Sequence, residues 1–212
     1  MYIYYKHYKI TTGNLFSLQN HYMQLVFATN NANKLKEVQV LVPSHIKLLS
    51  LVDIGCFEDV PETQPTIEGN AIQKAEYIKT NYGYDCFADD TGLEVDALNG
   101  EPGVFSARYA GPQRNAVDNM NKLLSELEIK DSREAQFKTV IALHLNGKLK
   151  TFTGICKGEI TTKKHGVGGF GYDPIFKAQG YDKTFAEISL EEKNKIGHRG
   201  KAVAQLIEYL NS

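Results

Sequence analysis

From Met23 onward the apolar positions fall into runs whose period changes from segment to segment, and each period predicts an element. Leu25-Val26-Phe27-Ala28 is a short apolar run of strand length. Leu35, Val38, Leu41 and Val42 then recur on one helical face before Pro43, which cannot continue a helix. A strand, a turn and a helix therefore begin the fold. Ile67, Ala71, Ala75 and Ile78 recur at spacings of three and four, predicting a helix from about Thr66 to Asn81 that stops at Tyr82-Gly83. The strand Cys86-Phe87-Ala88 follows directly. Val117, Met120, Leu124 and Leu127 mark a third helix. The stretches Ala135–Leu145 and Lys148–Cys156 flank Asn146-Gly147, a dipeptide that favours a two-residue turn with positive φ, so they predict a β-hairpin. Ser189-Leu190-Glu191-Glu192 has the spacing of a capping box, and Val203, Leu206, Ile207 and Leu210 give a final helix its buried stripe.

The resulting order is mixed α/β with one antiparallel section. Residues 1–22 carry five of the 12 tyrosines plus Phe16 but no sustained period. They read as an extension ahead of residues 23–212, with Met23 as an alternative start.

At 212 residues, 42% hydrophobic and 23% charged, the chain has the composition of a folded, water-soluble protein able to bury a core without staples. Its 24 Lys+Arg against 25 Asp+Glu leave a net charge of -1, so there is no overall drive toward nucleic acid or an anionic membrane. Any polyanion must be met in a local pocket. No run approaches the ~18 apolar residues of a membrane span, and the opening residues are too broken by Lys and His for a signal peptide, so a cytoplasmic location is expected. Cys56, Cys86 and Cys156 are widely spaced with no CxxC and read as small core residues.

Four stretches can carry chemistry. Thr29-Asn30-Asn31-Ala32-Asn33-Lys34 lies at a strand-to-helix turn, where free backbone N–H groups and the helix dipole favour an anion and Lys34 adds a mobile charge. The same residues also read as plain capping by Thr29 or Asn30 beside a solvated lysine. Ala88-Asp89-Asp90-Thr91-Gly92 sets two adjacent carboxylates at the end of an apolar strand, where they repel unless a cation intervenes. Mg²⁺ suits one or two carboxylates plus phosphate oxygens, and Glu62 or Glu68 can supply a further ligand. Ordinary turn chemistry accounts for Asp-Asp-Thr-Gly as well. In Gly166-Val167-Gly168-Gly169-Phe170-Gly171-Tyr172-Asp173-Pro174 the glycines admit close backbone approach, and Phe170 and Tyr172 offer faces for a base. Asp173 is placed to bond a base edge or a backbone amide. A surface loop with incidental aromatics is the plainer reading, and no dinucleotide-binding fold is expected. Lys193, His198, Arg199 and Lys201 form a cluster of donors for phosphate or a base carbonyl, or a solvated helix end.

Taken together, these segments resemble the non-canonical purine nucleoside triphosphate pyrophosphatases, the inosine triphosphatase or Ham1-like family. The likeness runs from about Gln24 to Leu210. Besides Thr29 to Lys34, Ala88 to Leu93, Phe170 to Pro174 and His198-Arg199-Gly200, it includes Glu68-Gly69-Asn70-Ala71 with Lys74-Ala75, and Pro102 to Tyr109. Three positions depart from the pattern: Gln64 replaces a usual Gly, Thr91 a commoner Ser, and Gly197 the Ser before the His-Arg pair. The resemblance implies a long mixed β-sheet flanked by helices, two lobes around a nucleotide cleft, and a homodimer. It also implies Mg²⁺-dependent hydrolysis of inosine, deoxyinosine and xanthosine triphosphates to the monophosphate and pyrophosphate.

In that reading Lys34 and the residues from Thr29 to Asn33 hold phosphates, Glu62 and Asp90 hold the metal, and Asp90 orients or deprotonates the attacking water with Asp89 in support. Thr91, Phe170, Gly171, Tyr172 and Asp173 line the substrate, an aromatic stacks on the purine, and Lys193, His198 and Arg199 donate toward its 6-oxo group. Three other readings use the same residues: a non-catalytic nucleotide sensor, a pyrophosphatase for modified pyrimidine nucleotides, and a single-strand RNA module stacking on Phe170 and Tyr172. Net charge disfavours the last, and neither a stable nucleic-acid partner nor a membrane is expected.

Overall fold

The computed structural model describes residues 23–212, so the extension read for residues 1–22 lies outside the described residues. The chain opens with β1 (Met23–Phe27), α1 (Ala32–Gln39), β2 (Ile46–Leu49) and α2 (Ile67–Tyr82), the β-turn-α start that the apolar periods predict. Then come β3 (Cys86–Val95), a short β4 (Pro102–Gly103), α3 (Ala116–Glu126), β5 (Glu134–Leu145), β6 (Lys148–Ile160) and β7 (Phe176–Ala178). Two consecutive helices, α4 (Leu190–Ile196) and α5 (His198–Leu210), close the fold. The seven strands make one mixed sheet in the order β2-β1-β3-β5-β6-β7, with β4 on β3. This is the α/β class with a long mixed sheet. Among the described residues no helix is long and apolar enough to cross a membrane.

Local chemistry explains the ends of the elements. Thr66 caps α2 by accepting from the Gly69 amide, and Gly83 stops it in the left-handed region at φ 76°. Asn146 and Gly147 both take positive φ in the hairpin turn between β5 and β6. Three features differ from the sequence expectation. Strand β3 runs for ten residues rather than three, because β5 pairs with it without interruption from Cys86↔His144 to Val95↔Ala135 and carries the polar residues along. Asp89 to Gly92 are therefore mid-strand, not a turn. Helix α1 ends at Gln39, so Leu41 and Val42 pack from the turn that follows. In α3 the inward stripe is Met120, Leu123 and Leu127, while Val117 stays exposed and Leu124 is only partly buried.

Three apolar clusters fill the two faces and the far end of the sheet. On one face α2 lays Ala71, Ala75 and Ile78 against Cys86, Ala88, Val140 and Ala142. On the other, Val38 of α1 and Ala202, Val203 and Leu206 of α5 meet Phe27, Phe87, Ile141 and Leu143. A third, including Met120, Leu123, Phe137, Ile175 and Phe185, packs α3 and the segments around β7. Cys56, Cys86 and Cys156 are buried free thiols.

Helix α5 can sit low on β6 only because Gly154 has no side chain: a Cβ there would stand 2.0 Å from the His198 carbonyl oxygen and 2.6 Å from the Ala202 amide nitrogen. Gly154→Ala should therefore lift the start of α5 and cost about 1–3 kcal/mol of stability in urea unfolding. A variant as stable as its parent would show that this contact yields freely.

Candidate active site

The site grows out of the two-residue period of β3. Cys86 and Ala88 face α2 while Phe87 faces α1 and α5, so Asp90 continues the α2 face and Asp89 the opposite one. The adjacent acids do not confront each other, and each meets its own set of cations. Strand β3 also has an interrupted edge. β1 pairs with it at Cys86 and Phe87, β4 at Leu93 and Glu94, and no strand covers the stretch between among the described residues. There the Asp89 carbonyl accepts instead from Lys34 Nζ at 3.3 Å and Lys74 Nζ at 2.7 Å, one lysine from each flanking helix. A cavity of about 700 Å³ opens at this gap.

On the α1 side the capping reading holds in part, with Asn31 rather than Thr29 or Asn30 as the cap: its side chain accepts from the Asn33 and Lys34 amides, and Thr29 Oγ1 accepts from the Asn31 amide. Those amides are engaged, so the turn offers chiefly the Lys34 ammonium, which lies 3.0 Å from Asp89 Oδ1. Thr29, Asn30, Asn31, Asn33 and Lys34 line the cavity; Ala32 does not.

Lys34 begins a chain of buried ion pairs. Asp89 Oδ2 accepts from Arg199 Nε at 3.0 Å, Arg199 donates to Glu37, Glu37 Oε1 accepts from Lys193 Nζ at 2.7 Å, and Lys193 also donates to Asp173 Oδ2 at 2.5 Å. Three cations thus alternate with three carboxylates across α1, β3, α4, α5 and the Gly-rich loop. Burial alone would raise the Asp89 pKa, but Lys34, Arg199 and Lys74 together hold it well below the usual carboxylate range. Asp89 itself does not line the cavity; it holds Lys34 and Arg199 in place. Arg199 also donates to Thr91 Oγ1 at 3.0 Å, and Thr91 shares a 2.6 Å hydrogen bond with Thr139.

At the other end Gly169, in the left-handed region at φ 69°, must be glycine, since a Cβ would stand 2.1 Å from Asp173 Oδ2. That same oxygen accepts from the Phe170 amide at 2.7 Å, so Asp173 takes the backbone-amide role. Residues 166–171 have GxGxxG spacing, yet a 3-10 turn at Asp173–Ile175 follows rather than a helix, so there is no dinucleotide motif. The Phe170 ring is partly exposed with Lys193 Nζ 4.7 Å from its centre. Tyr172 lines the cavity but is buried, with its hydroxyl donating to the Ser106 carbonyl, so the more exposed aromatic face is that of Phe170.

His198 lies 4.5 Å from the Phe137 ring in a stacked arrangement, and its Nδ1 is buried without a partner among the described residues. Burial, with Arg199 and Lys193 nearby, pushes its pKa well below the ordinary histidine value. Burial thus favours the neutral ring, with one donor and one acceptor nitrogen, over a phosphate-binding cation. Phe170, Gly171, Tyr172, Asp173, Lys193, His198 and Arg199 all line the cavity; Lys201 does not, and donates to the Ile155 carbonyl. Gly197 ends α4 and precedes α5 without a side-chain cap, and a Cβ there would meet the Lys193 carbonyl at 2.5 Å.

On the α2 side Glu62 and Asp90 line the cavity with Lys74 between them, its Nζ 2.5 Å from Glu62 Oε1 and 3.9 Å from Asp90 Oδ1. Asn70 donates to Asp90 Oδ2 and accepts from the Gln64 amide, tying the loop that carries Glu62 to the β3 carboxylate. Burial raises the Asp90 pKa against the pull of Lys74 and Lys34. Glu68 lies away from the cavity, near Thr151.

Glu37, Asn70 and Lys74 complete the site from outside the predicted set. Each is a polar residue beside a buried helical stripe: Glu37 precedes Val38, and Asn70 and Lys74, one turn apart, each precede a buried alanine. A polar residue at such a position must find a buried partner, and Asn70 and Lys74 also lie in the motif from Glu68 to Ala75; these were the available signals.

A sequence model of the Ham1 family matches residues 25–209. A relative from Flavobacterium johnsoniae named dITP/XTP pyrophosphatase is 68% identical over 190 residues, spanning 90% of this chain and 99% of its own. The solved structure of the Staphylococcus aureus Ham1 protein is 41% identical with a TM-score of 0.81, covering 89% of this chain and 98% of that one. A HAM1 protein structure from Coxiella burnetii is 39% identical with a TM-score of 0.83, covering 89% and 98%. With a family model and relatives matched over most of its length, the chain belongs to the Ham1 family.

Proposed function

We propose that this protein hydrolyses non-canonical purine nucleoside triphosphates, such as those of deoxyinosine, inosine and xanthosine, to the monophosphate and pyrophosphate. The observation that carries the reading is one cavity that holds both Lys34, Lys74, Glu62 and Asp90 at the open edge of β3 and the partly exposed ring of Phe170. The dITP/XTP pyrophosphatase names of the relatives support the same substrate class. A homodimer is part of this reading by resemblance.

The residues fit a divalent ion. Among the described residues no three His, Cys, Asp or Glu side chains form a metal cluster, but Mg²⁺ on a phosphate substrate needs only one or two carboxylates. Glu62 and Asp90 already share one cation, the Lys74 ammonium. In our reading these two carboxylates hold Mg²⁺, which when bound supplies charge neutralisation for the phosphate oxygens. Lys34 and Lys74, gathered on the Asp89 carbonyl, hold phosphates beside Asp90. Asp90, with its pKa raised by burial, orients the attacking water and takes its proton.

At the base end Phe170 stacks on the purine while Lys193, His198 and the unused N–H groups of Arg199 donate toward a 6-oxo group. Adenine would set an amino donor against them and leave those buried donors unpaired, which is costly.

A panel of inosine, xanthosine, adenosine, guanosine and modified pyrimidine triphosphates with Mg²⁺, scored for product, should yield pyrophosphate fastest from the first two. Orthophosphate as product, or tight binding without turnover, would sink the reading. Asp90→Asn should lower kcat for inosine triphosphate by about 10²-fold or more; near-normal turnover removes Asp90 from the chemistry. Glu37→Gln strands Arg199 and Lys193 without half their countercharge and should cost about 3–5 kcal/mol in urea unfolding. A loss under 1 kcal/mol would mean that the remaining carboxylates suffice, a margin well within a single exposed ion pair.

A further inference from the structure

Five cations and four carboxylates line the cavity. Four of the cations are already committed: Lys34 to Asp89, Lys74 to Glu62 and Asp90, Lys193 to Glu37 and Asp173, and Arg199 to Asp89 and Glu37. The fifth, Arg114, makes no side-chain hydrogen bond and no ion pair among the described residues. Asp59, the lining carboxylate outside these pairs, does not engage it. An incoming polyphosphate must share each paired ammonium or guanidinium with a carboxylate. It can take Arg114 without sharing it.

The backbone beneath Arg114 is held firmly for an exposed residue. Its φ is 52°, a left-handed conformation that residues with a Cβ adopt at a cost, and its amide donates to the Gly111 carbonyl at 3.3 Å. The next residue, Asn115, caps α3 by accepting from the Val117 and Asp118 amides. Buried Asn119 clamps the loop from α3, accepting from the Ala110 amide and donating to the Ala107 carbonyl. Arg114 lines the same cavity as Glu62 and Asp90, from the loop that leads into α3.

We propose that Arg114 binds the outer phosphates of the substrate and holds the departing pyrophosphate, an inference that rests on the function proposed above. With the purine at Phe170 and the α-phosphate beside Asp90, the tail of the substrate lies in the cavity that Arg114 lines with Glu62 and Asp90. A guanidinium presents paired donors that match two phosphate oxygens at once, which a lysine cannot do. Because the side chain is exposed in this structure, it can close over the tail when a ligand arrives and open to release it.

The test compares product inhibition in the parent, Arg114→Gln and Arg114→Lys, with inorganic pyrophosphate and inosine monophosphate as separate inhibitors at fixed free Mg²⁺. Arg114→Gln should weaken inhibition by pyrophosphate at least tenfold, leave inhibition by inosine monophosphate unchanged, and raise KM for inosine triphosphate more than it lowers kcat. Arg114→Lys should fall between. Unchanged pyrophosphate inhibition, or equal weakening of both inhibitors, would overturn the proposal. A parent that releases no pyrophosphate from inosine triphosphate would instead sink the functional reading, and this inference with it.

Discussion

Three buried carboxylates and three cations alternating across five segments are the constraint on which the site depends. Lys34, Asp89, Arg199, Glu37, Lys193 and Asp173 come from α1, β3, α5, α4 and the Gly-rich loop, and the ions at the centre of the chain have at most a few per cent of their surface exposed. Removing charges from water is expensive, and mutual attraction offsets it only when geometry and hydrogen bonding are both good. Here most members touch two or more opposite charges. Shifting any one element would leave a buried ion unmatched, so the network penalises misplacement of the walls of the cavity more than it adds to net stability. Phe170 is fixed by the same logic, since Asp173 holds both its amide and Lys193.

A second constraint is the interruption of β3. Had β1 or β4 continued along that edge, the Asp89 carbonyl would have bonded a strand amide, and two lysines would have had no reason to converge there. Because the gap is reached from both faces of the sheet, α1 and α2 each contribute one ammonium. The two acids of β3 then differ in environment despite being adjacent. Asp89 is held ionised by surrounding cations, whereas Asp90 faces the cavity with a pKa raised by burial. Structural and chemical duties are divided by the alternation of a single strand.

Close packing sets the depth of the base end. Gly154 lets α5 settle on β6, and the break at Gly197 turns the chain so that His198 and Arg199 occupy the first turn of a new helix, not the middle of a longer one. His198 is thereby stacked against Phe137, where burial favours its neutral form, while Arg199 reaches back to β3.

Periods of three to four and of two, with their caps and turns, were enough to read the opening β-turn-α unit, α2, the β5–β6 hairpin and the last helix, because those signals are local. The motif residues from Thr29 to Lys34, Asp89 to Thr91, Phe170 to Asp173 and His198-Arg199 were legible as chemistry-bearing types for the same reason. The length of β3 was not, since it follows from pairing with a strand some fifty residues later. Nor were the partners of Glu37, Asn70 and Lys74, or the core burial of Tyr172. Which face a side chain takes, which cation answers which acid and which cation is left over depend on contacts between segments far apart in the chain, and only the tertiary structure decides those.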